Sequence, residues 1–282
     1  MARPNAAPIP ESEAVSSLAD LQALDVLARL AGRDSPMHRL DARAKLLATG
    51  AFVVGVVSVP ADGFASLPPF ALLWLLASAL AGLAPGRLLR PACAALPFAL
   101  MLGALNPLLD RRPVSLGSWT VAAGWLTLAT LLGKALLAAA ACTLLAACTE
   151  FSDLCAGLAR LGLPRAFTQQ LLFLWRYLGV LAQEAARMAR ARDLRSFPGS
   201  AGRSARVAAR LIGCLLRRAL ERAQRIHAAM LCRLWSGELP RARAAAFAGG
   251  DALFLAAALA ATAACRFLPL TAALGACFAR LP

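Results

Sequence analysis

Arginine is the residue with the most chemistry to offer in this sequence. Seventeen arginines fall between residues 149 and 250, against six acids. A guanidinium presents a planar fork of donors that fits a carboxylate or phosphate in bidentate fashion, so arginines gathered at a helix end are equipped to grip an acidic groove. Other reactive groups are sparse. The eight cysteines include no CxxC pair, most lie in apolar runs, and the two histidines, His38 and His227, are far apart, so no metal site is expected. The carboxylates Asp41, Asp62, Asp110, Glu150 and Asp153 are candidates for holding Mg²⁺ in a membrane-embedded transferase. Only Glu150 and Asp153 sit close enough to share a helix face, and acidic charge at a helix N-terminus is the simpler account of them. No GxxxxGK[ST] is present, so energy from ATP has to come from a partner. No catalytic residue and no cofactor are expected.

The elements that position these arginines follow from composition. The chain of 282 residues is 60% hydrophobic yet carries a formal charge of +15. A bilayer reconciles the two, taking the apolar residues into lipid and leaving the arginines on a cytoplasmic face. Apolar runs over 44–59, 67–84, 91–109, 119–148 and 252–278 predict five spans, with six as the alternative; the first three are short for a span of roughly 20 residues. Lys134 lies inside the fourth run, where a charge is costly, and reads as an ion-pair partner, a resident of a polar crevice or a snorkelling side chain. The first forty residues hold no apolar signal run. Within them, 16–32 has leucines at helical spacing and predicts a short amphipathic helix on the cytoplasmic surface. Loop charge puts the N-terminus in the cytoplasm, with loop 110–118, carrying Arg111 and Arg112, as the poor fit.

The expected fold is therefore all-α and polytopic. Its parts are a cytoplasmic N-terminal segment over 1–43, four spans within 44–148, a cytoplasmic helical domain over 149–250 and a last span in 251–282. Inside the third part, Thr149 or Ser152 caps a short helix, a long helix runs from about Pro164 to Phe197, and another from about Ser204 to Trp235. Both long helices mix leucine with arginine, so they need apolar partners as well as acidic ones. Glu221 and Arg225 form a supportive i, i+4 pair. Trp175, Tyr177, Phe197 and Trp235 are not interleaved for base stacking, so nucleic acid is not an expected partner; lipid headgroups are.

Several stretches carry a resemblance. Asp34-Ser35-Pro36-Met37-His38-Arg39-Leu40-Asp41-Ala42-Arg43-Ala44-Lys45-Leu46-Leu47 resembles the opening of the T component of energy-coupling factor (ECF) transporters, the cobalt-type CbiQ family in particular. So do Leu161-Gly162-Leu163-Pro164-Arg165, Trp175-Arg176-Tyr177, Leu194-Arg195-Ser196-Phe197, Leu220-Glu221-Arg222-Ala223 and Ala229-Met230-Leu231. The resemblance implies a non-catalytic inner-membrane scaffold of an ABC-type importer for cobalt or nickel, in the service of cobalamin biosynthesis. It also implies two kinds of partner, cytoplasmic ATPase subunits and a substrate-binding membrane subunit that holds the ion. Each long helix would end in an Ala-Arg-Gly-like motif whose arginine docks in an ATPase. The first maps to Ala191-Arg192-Asp193, with Arg190 in the alternative register, and the second to Cys232-Arg233-Leu234. Asp193 and Leu234 stand where the pattern has glycine, and Cys232 where it has alanine.

Overall fold

The computed structural model describes Met37 and residues 40–60, 63–110, 113–116, 119–195, 201–235 and 248–267. The helix expected over 16–32 lies outside these residues. In chain order the elements are α1 (Ala42–Val57), α2 (Leu67–Leu80), α3 (Pro85–Ala92), α4 (Leu96–Gly103), α5 (Asn106–Leu109), a hairpin of β1 (Pro113–Leu116) and β2 (Trp119–Ala122), α6 (Ala123–Cys148), α7 (Phe151–Arg160), α8 (Arg165–Asp193), α9 (Ala201–Cys232) and α10 (Gly249–Phe267). Helix dominates, as expected, and the hairpin is the exception, pairing Pro113 with Ala122 through Leu116 with Trp119. These elements fall into two compact units, one formed by α1–α7 with α10, the other by α8 and α9.

In the first unit α6 is the central post. Helices α1 to α5 all pack along it, and α10 lies against α1 and α2. The buried cluster runs through Phe52, Val56, Phe70, Trp74, Leu88, Leu137, Ala140 and Leu144. Small residues set the closest approaches. A Cβ on Gly55 would lie 2.7 Å from the Thr262 methyl of α10, and one on Gly124 would collide with the backbone of Asn106 and Pro107. Away from this cluster the helices expose Val54, Leu76, Phe98, Met101, Trp125 and Leu253. Among the described residues, α6 and α10 are long and apolar enough to cross a membrane. At 1.5 Å per residue α6 is about 39 Å long.

The apolar run 91–109 is not one helix. Its first residues complete α3, where a loop was expected, and Cys93–Ala95 is a 3-10 turn before α4. Pro91, Pro97 and Pro107 each remove a backbone donor, which is why the run breaks where the prolines fall. The fourth run also starts later as helix than its composition suggests, because Trp119–Ala122 is strand.

The chain's two lysines hold α1 and α6 together reciprocally. The Lys45 ammonium of α1 donates to the Cys148 carbonyl at the C-terminus of α6, 3.0 Å away. The Lys134 ammonium of α6 donates to the carbonyls of Val57, at 3.4 Å, and Val59, at the C-terminus of α1. A helix ends with four carbonyls lacking intrahelical partners and a partial negative charge, so a cation from a neighbour satisfies both. Lys134 therefore sits against a polar spot inside the bundle, the exposed carbonyls that end α1, and caps that helix. Arg266 of α10 joins the same end through Ser58, 2.9 Å from its hydroxyl.

At the other end of α1, Asp41 is the N-cap, accepting the Arg43 N–H at 3.0 Å. Its own N–H donates to Asp251 of α10 at 2.9 Å, and the second Asp251 oxygen accepts the Ala248 N–H at 2.9 Å. Arg43 and Arg160, the latter from α7, lie 3.9 and 3.8 Å from the Asp41 carboxylate. The starts of α1 and α10 and the end of α7 therefore meet at one buried carboxylate. The cap expected for α7 is different: Glu150 occupies the N-cap position with no side-chain bond, and neither Thr149 nor Ser152 caps the helix.

Replacing Lys134 by methionine keeps most of the side-chain volume and leaves the α1 carbonyls without their donor. The expected loss is about 1.5–3 kcal/mol, the range for hydrogen bonds to a charged group. Thermal unfolding of the detergent-solubilised protein, followed by exposure of the buried thiols Cys148 and Cys155, reads it as a lowered midpoint.

Candidate functional site

The arginines of interest belong to the second unit. Helix α8 starts after Pro164, which supplies no donor and so opens a helix without loss. It runs 29 residues, and α9 runs 32. The two are antiparallel: Phe173 and Tyr177 share a cavity with Ile226, Met230 and Trp235, whereas Glu184 meets Arg218. Leu181 and Ala219 lie between these points.

Glu184 is the polar clasp of the pair. It accepts from Arg187 of its own helix at 2.6 Å and from Arg218 of α9. The Arg187 hydrogen bond and then that of Arg218 hold its carboxyl below the ordinary range, outweighing the opposing effect of desolvation. Because the folded value is depressed, the clasp contributes above the ordinary carboxylate pKa of 4.5 and is lost as pH falls through the folded value. Glu221 pairs with Arg217 at 3.9 Å rather than with Arg225.

Antiparallel packing separates the two candidate docking motifs. With Glu184 level with Arg218, the end of α8 lies level with about Ala209, some 23 residues before Cys232. At 1.5 Å per residue the two motifs stand on the order of 30 Å apart, so they cannot form one binding site. The first keeps helical geometry throughout. Arg190 and Ala191 are exposed, Arg192 is half-buried, Asp193 is the last helical residue, and Leu194 caps the helix in the right-handed region with its N–H on the Arg190 carbonyl at 3.1 Å.

The second motif ends differently. Cys232 is the last residue of α9 and is exposed, as is Arg233. Leu234 then turns left-handed, with φ of 57°. Its N–H donates to the Leu231 carbonyl at 3.0 Å, and the Trp235 N–H to that of Met230 at 3.1 Å. This is a Schellman closure, the same one that ends α2, where Gly82 takes φ of 68°. Glycine meets no Cβ clash in that conformation, whereas leucine is strained by roughly 1–2 kcal/mol. A glycine at position 234 would take this conformation without that strain, and the helix end keeps the shape with leucine there.

Both ends also present a leucine to solvent. Leu194 is 90% exposed and Leu234 91%. In the sequence Leu194 stands only as part of a resembling stretch, within the expected long helix; its place one residue past the helix end is the signal of its exposure. Asp251 was passed over, although Ala248-Gly249-Gly250-Asp251 has the spacing of a helix-start box. Glu150 and Asp153 sit at the start of α7 as N-cap and first-turn acid, with Glu150 3.5 Å from the Ser152 hydroxyl. Among the described residues no group of three His, Cys, Asp or Glu side chains converges as metal ligands would.

Comparison with known proteins bears on this arrangement. The family model CbiQ, described as cobalt transport protein, matches residues 33–243. The chain belongs to the CbiQ family. The match takes in Asp41, Arg43 and Arg160, both lysine caps and both long helices of this CbiQ-family chain, and it ends before Asp251. The cobalt transport protein CbiQ of Rhodobacter capsulatus is 37% identical over 95 residues, 34% of this chain. The matched stretch covers 39% of that relative's length.

Two expectations follow. Leu234→Gly relieves the left-handed strain, and hydrogen exchange at the Trp235 amide slows about fivefold, corresponding to about 1 kcal/mol. In Glu184→Gln the approach of α8 to α9, read between spin labels on the two helices, no longer changes with pH. In the parent chain it loosens as pH falls below 4.5.

Proposed function

We propose that this chain is the transmembrane scaffold, the T component, of an ECF-type ABC importer for cobalt or nickel ions. It passes the work of ATP hydrolysis from cytoplasmic ATPase subunits to a separate membrane subunit that binds the ion. The observation that carries the reading is the pair of separated helix ends. Each offers an arginine beside an almost fully exposed leucine, Arg192 with Leu194 and Arg233 with Leu234. An arginine fork for carboxylates next to an apolar anchor is the composition of a protein-docking hot spot. Two such ends on the order of 30 Å apart suit two ATPase grooves, one for each helix.

In this reading α1–α6 and α10 lie in the inner membrane, with the N-terminus and α7 in the cytoplasm. The exposed Phe98, Met101, Trp125 and Leu253 then face lipid. Five crossings remain the proposed count, with α6 and α10 the two that satisfy length by themselves. The shorter α1, of 16 residues, and α2, of 14, cross where the bilayer thins to meet them. The long, stiff helices α8 and α9 transmit a rigid-body movement because a helix end held in a groove moves with it. The ion is cargo bound by the partner subunit, and the chain itself catalyses nothing.

The test is a double substitution, Arg192→Ala with Arg233→Ala, in the tagged chain co-expressed with its neighbouring genes. The ATPase should no longer co-purify, and uptake of radioactive cobalt should fall at least about tenfold, since each lost charged contact costs roughly 2–5 kcal/mol of docking energy. The detergent-solubilised double variant should elute as the parent does. Undiminished uptake with the ATPase still bound removes the proposal.

A further inference from the structure

Helices α1, α2, α6 and α10 of the first unit surround a cavity of about 340 Å³. It exists because α10 lines it with Ala257, Ala258 and Ala261, whose methyls do not reach across to α2 and α6. One end lies at Lys45 and Cys148, beside the start of α1 and the end of α6, and the other at Phe52 and Thr262. Lys45 and Phe52 are about two turns apart on α1, so the cavity runs about 10 Å along the bundle at 1.5 Å per residue. Leu76 and Leu80 of α2 and Ala257 of α10 line it and are exposed, which puts its mouth on the flank of the bundle, between α2 and α10.

The lining limits what can fill it. Lys45 donates to the Cys148 carbonyl and the Thr262 hydroxyl to the Ala258 carbonyl. The remaining lining is apolar except for Thr49 and the indole N–H of Trp74, which is itself buried. An ordered water needs about two to four polar partners, so water is poorly held here. Left empty, the cavity forfeits dispersion contacts along its whole wall. A transmembrane helix is too wide: a cylinder about 10 Å across would use up this volume in about 4 Å of its length. The occupant that fits is slender, flexible and apolar throughout.

We propose that the cavity is a lipid site that holds one acyl chain of a phospholipid from the cytoplasmic leaflet. The inference rests on the membrane reading of this unit and not on the docking of an ATPase. In that reading Lys45 and Cys148 mark the cytoplasmic ends of α1 and α6, so the cavity lies in the half of the bilayer that this leaflet fills. Its mouth opens on the flank, where the tails are. A methylene chain turns in between Leu76 and Ala257 and supplies the packing that the α10 alanines leave out. The headgroup stays in the interface, because the ammonium inside the cavity is held on a carbonyl. The bound tail thus acts as a structural part of the bundle, tying α10 to α2.

The experiment uses the full chain in nanodiscs of phosphatidylethanolamine and phosphatidylglycerol, with a diazirine placed midway along one acyl chain of the phosphatidylethanolamine. Illumination followed by mass spectrometry should label Leu73, Ala77, Leu145 and Ala258 several-fold more than Phe98 and Met101, which are exposed outside the cavity. Ala77→Phe or Ala258→Phe fills the cavity, and should remove the labels inside it while leaving those on Phe98 and Met101 unchanged. Labels on Phe98 and Met101 with none in the cavity overturn this inference alone. No label on Phe98 and Met101 overturns the membrane reading with it. Cavity labels that persist in both filled variants, or that form only with a photoreactive free fatty acid and not with the phospholipid, also overturn the proposal. The label map of the unaltered chain decides the matter even if the filled variants fail to fold.

Discussion

Two lysines, each closing the other helix's C-terminus, fix the relation of α1 to α6, and most of the first unit is built on that relation. Because α6 runs antiparallel to α1, an ammonium in the first turn of α1 and one midway along the longer α6 reach the carbonyls at the end of the neighbour's run. Helix ends are the one place in an apolar bundle where backbone carbonyls have no partner of their own. Satisfying them from inside the bundle removes the need for water at that depth. A lysine suits this better than an arginine, because a compact ammonium can address two carbonyls of one turn, whereas the guanidinium fork is shaped for planar anions. The chain uses arginine nearly everywhere else, so its two lysines stand where the geometry calls for a point charge.

With α1 fixed, the Asp41 node acquires its purpose. Asp41 caps α1, its N–H is held by Asp251 of α10, and its carboxylate faces Arg43 and Arg160. Three helices distant in sequence are registered at one carboxylate. The motif around Asp41, Arg43 and Lys45, which first served only to mark a resemblance, is therefore a set of structural contacts: a cap, an ion pair and a carbonyl clasp.

The second unit follows another logic. Its helices are amphipathic, joined by one clasp at Glu184 and by side chains around Leu181 and Ala219, and much of their apolar and basic surface is left outward. A long helix pair that leaves so much surface outward is not a core. Its two ends stop by different means. α8 runs on through Asp193 to a right-handed cap, whereas α9 closes by a Schellman turn that forces Leu234 left-handed. The second end is thus the more sharply defined, and it sets the exposed leucine beside Arg233 at an angle the helix alone would not give.

The sequence by itself determined a great deal. Apolar runs interrupted by proline gave helices and their breaks, because a residue without an N–H stops a helix whatever surrounds it. The two long helices appear close to their expected limits, Arg165–Asp193 and Ala201–Cys232, since leucine and arginine at helical spacing between strong turn residues leave few alternatives. Local chemistry could not show the rest. Whether Lys134 was a functional charge or a cap depended on which carbonyls α1 would bring to it, some 75 residues away in sequence. The separation of Arg192 from Arg233 depended on antiparallel packing, which spacing along one chain does not encode. The left-handed turn at Leu234 is a property of how α9 ends, hidden because leucine is not a residue that announces it. Sequence fixes what each segment can do locally; contacts between distant segments decide which lone charge is satisfied and which surface stays open.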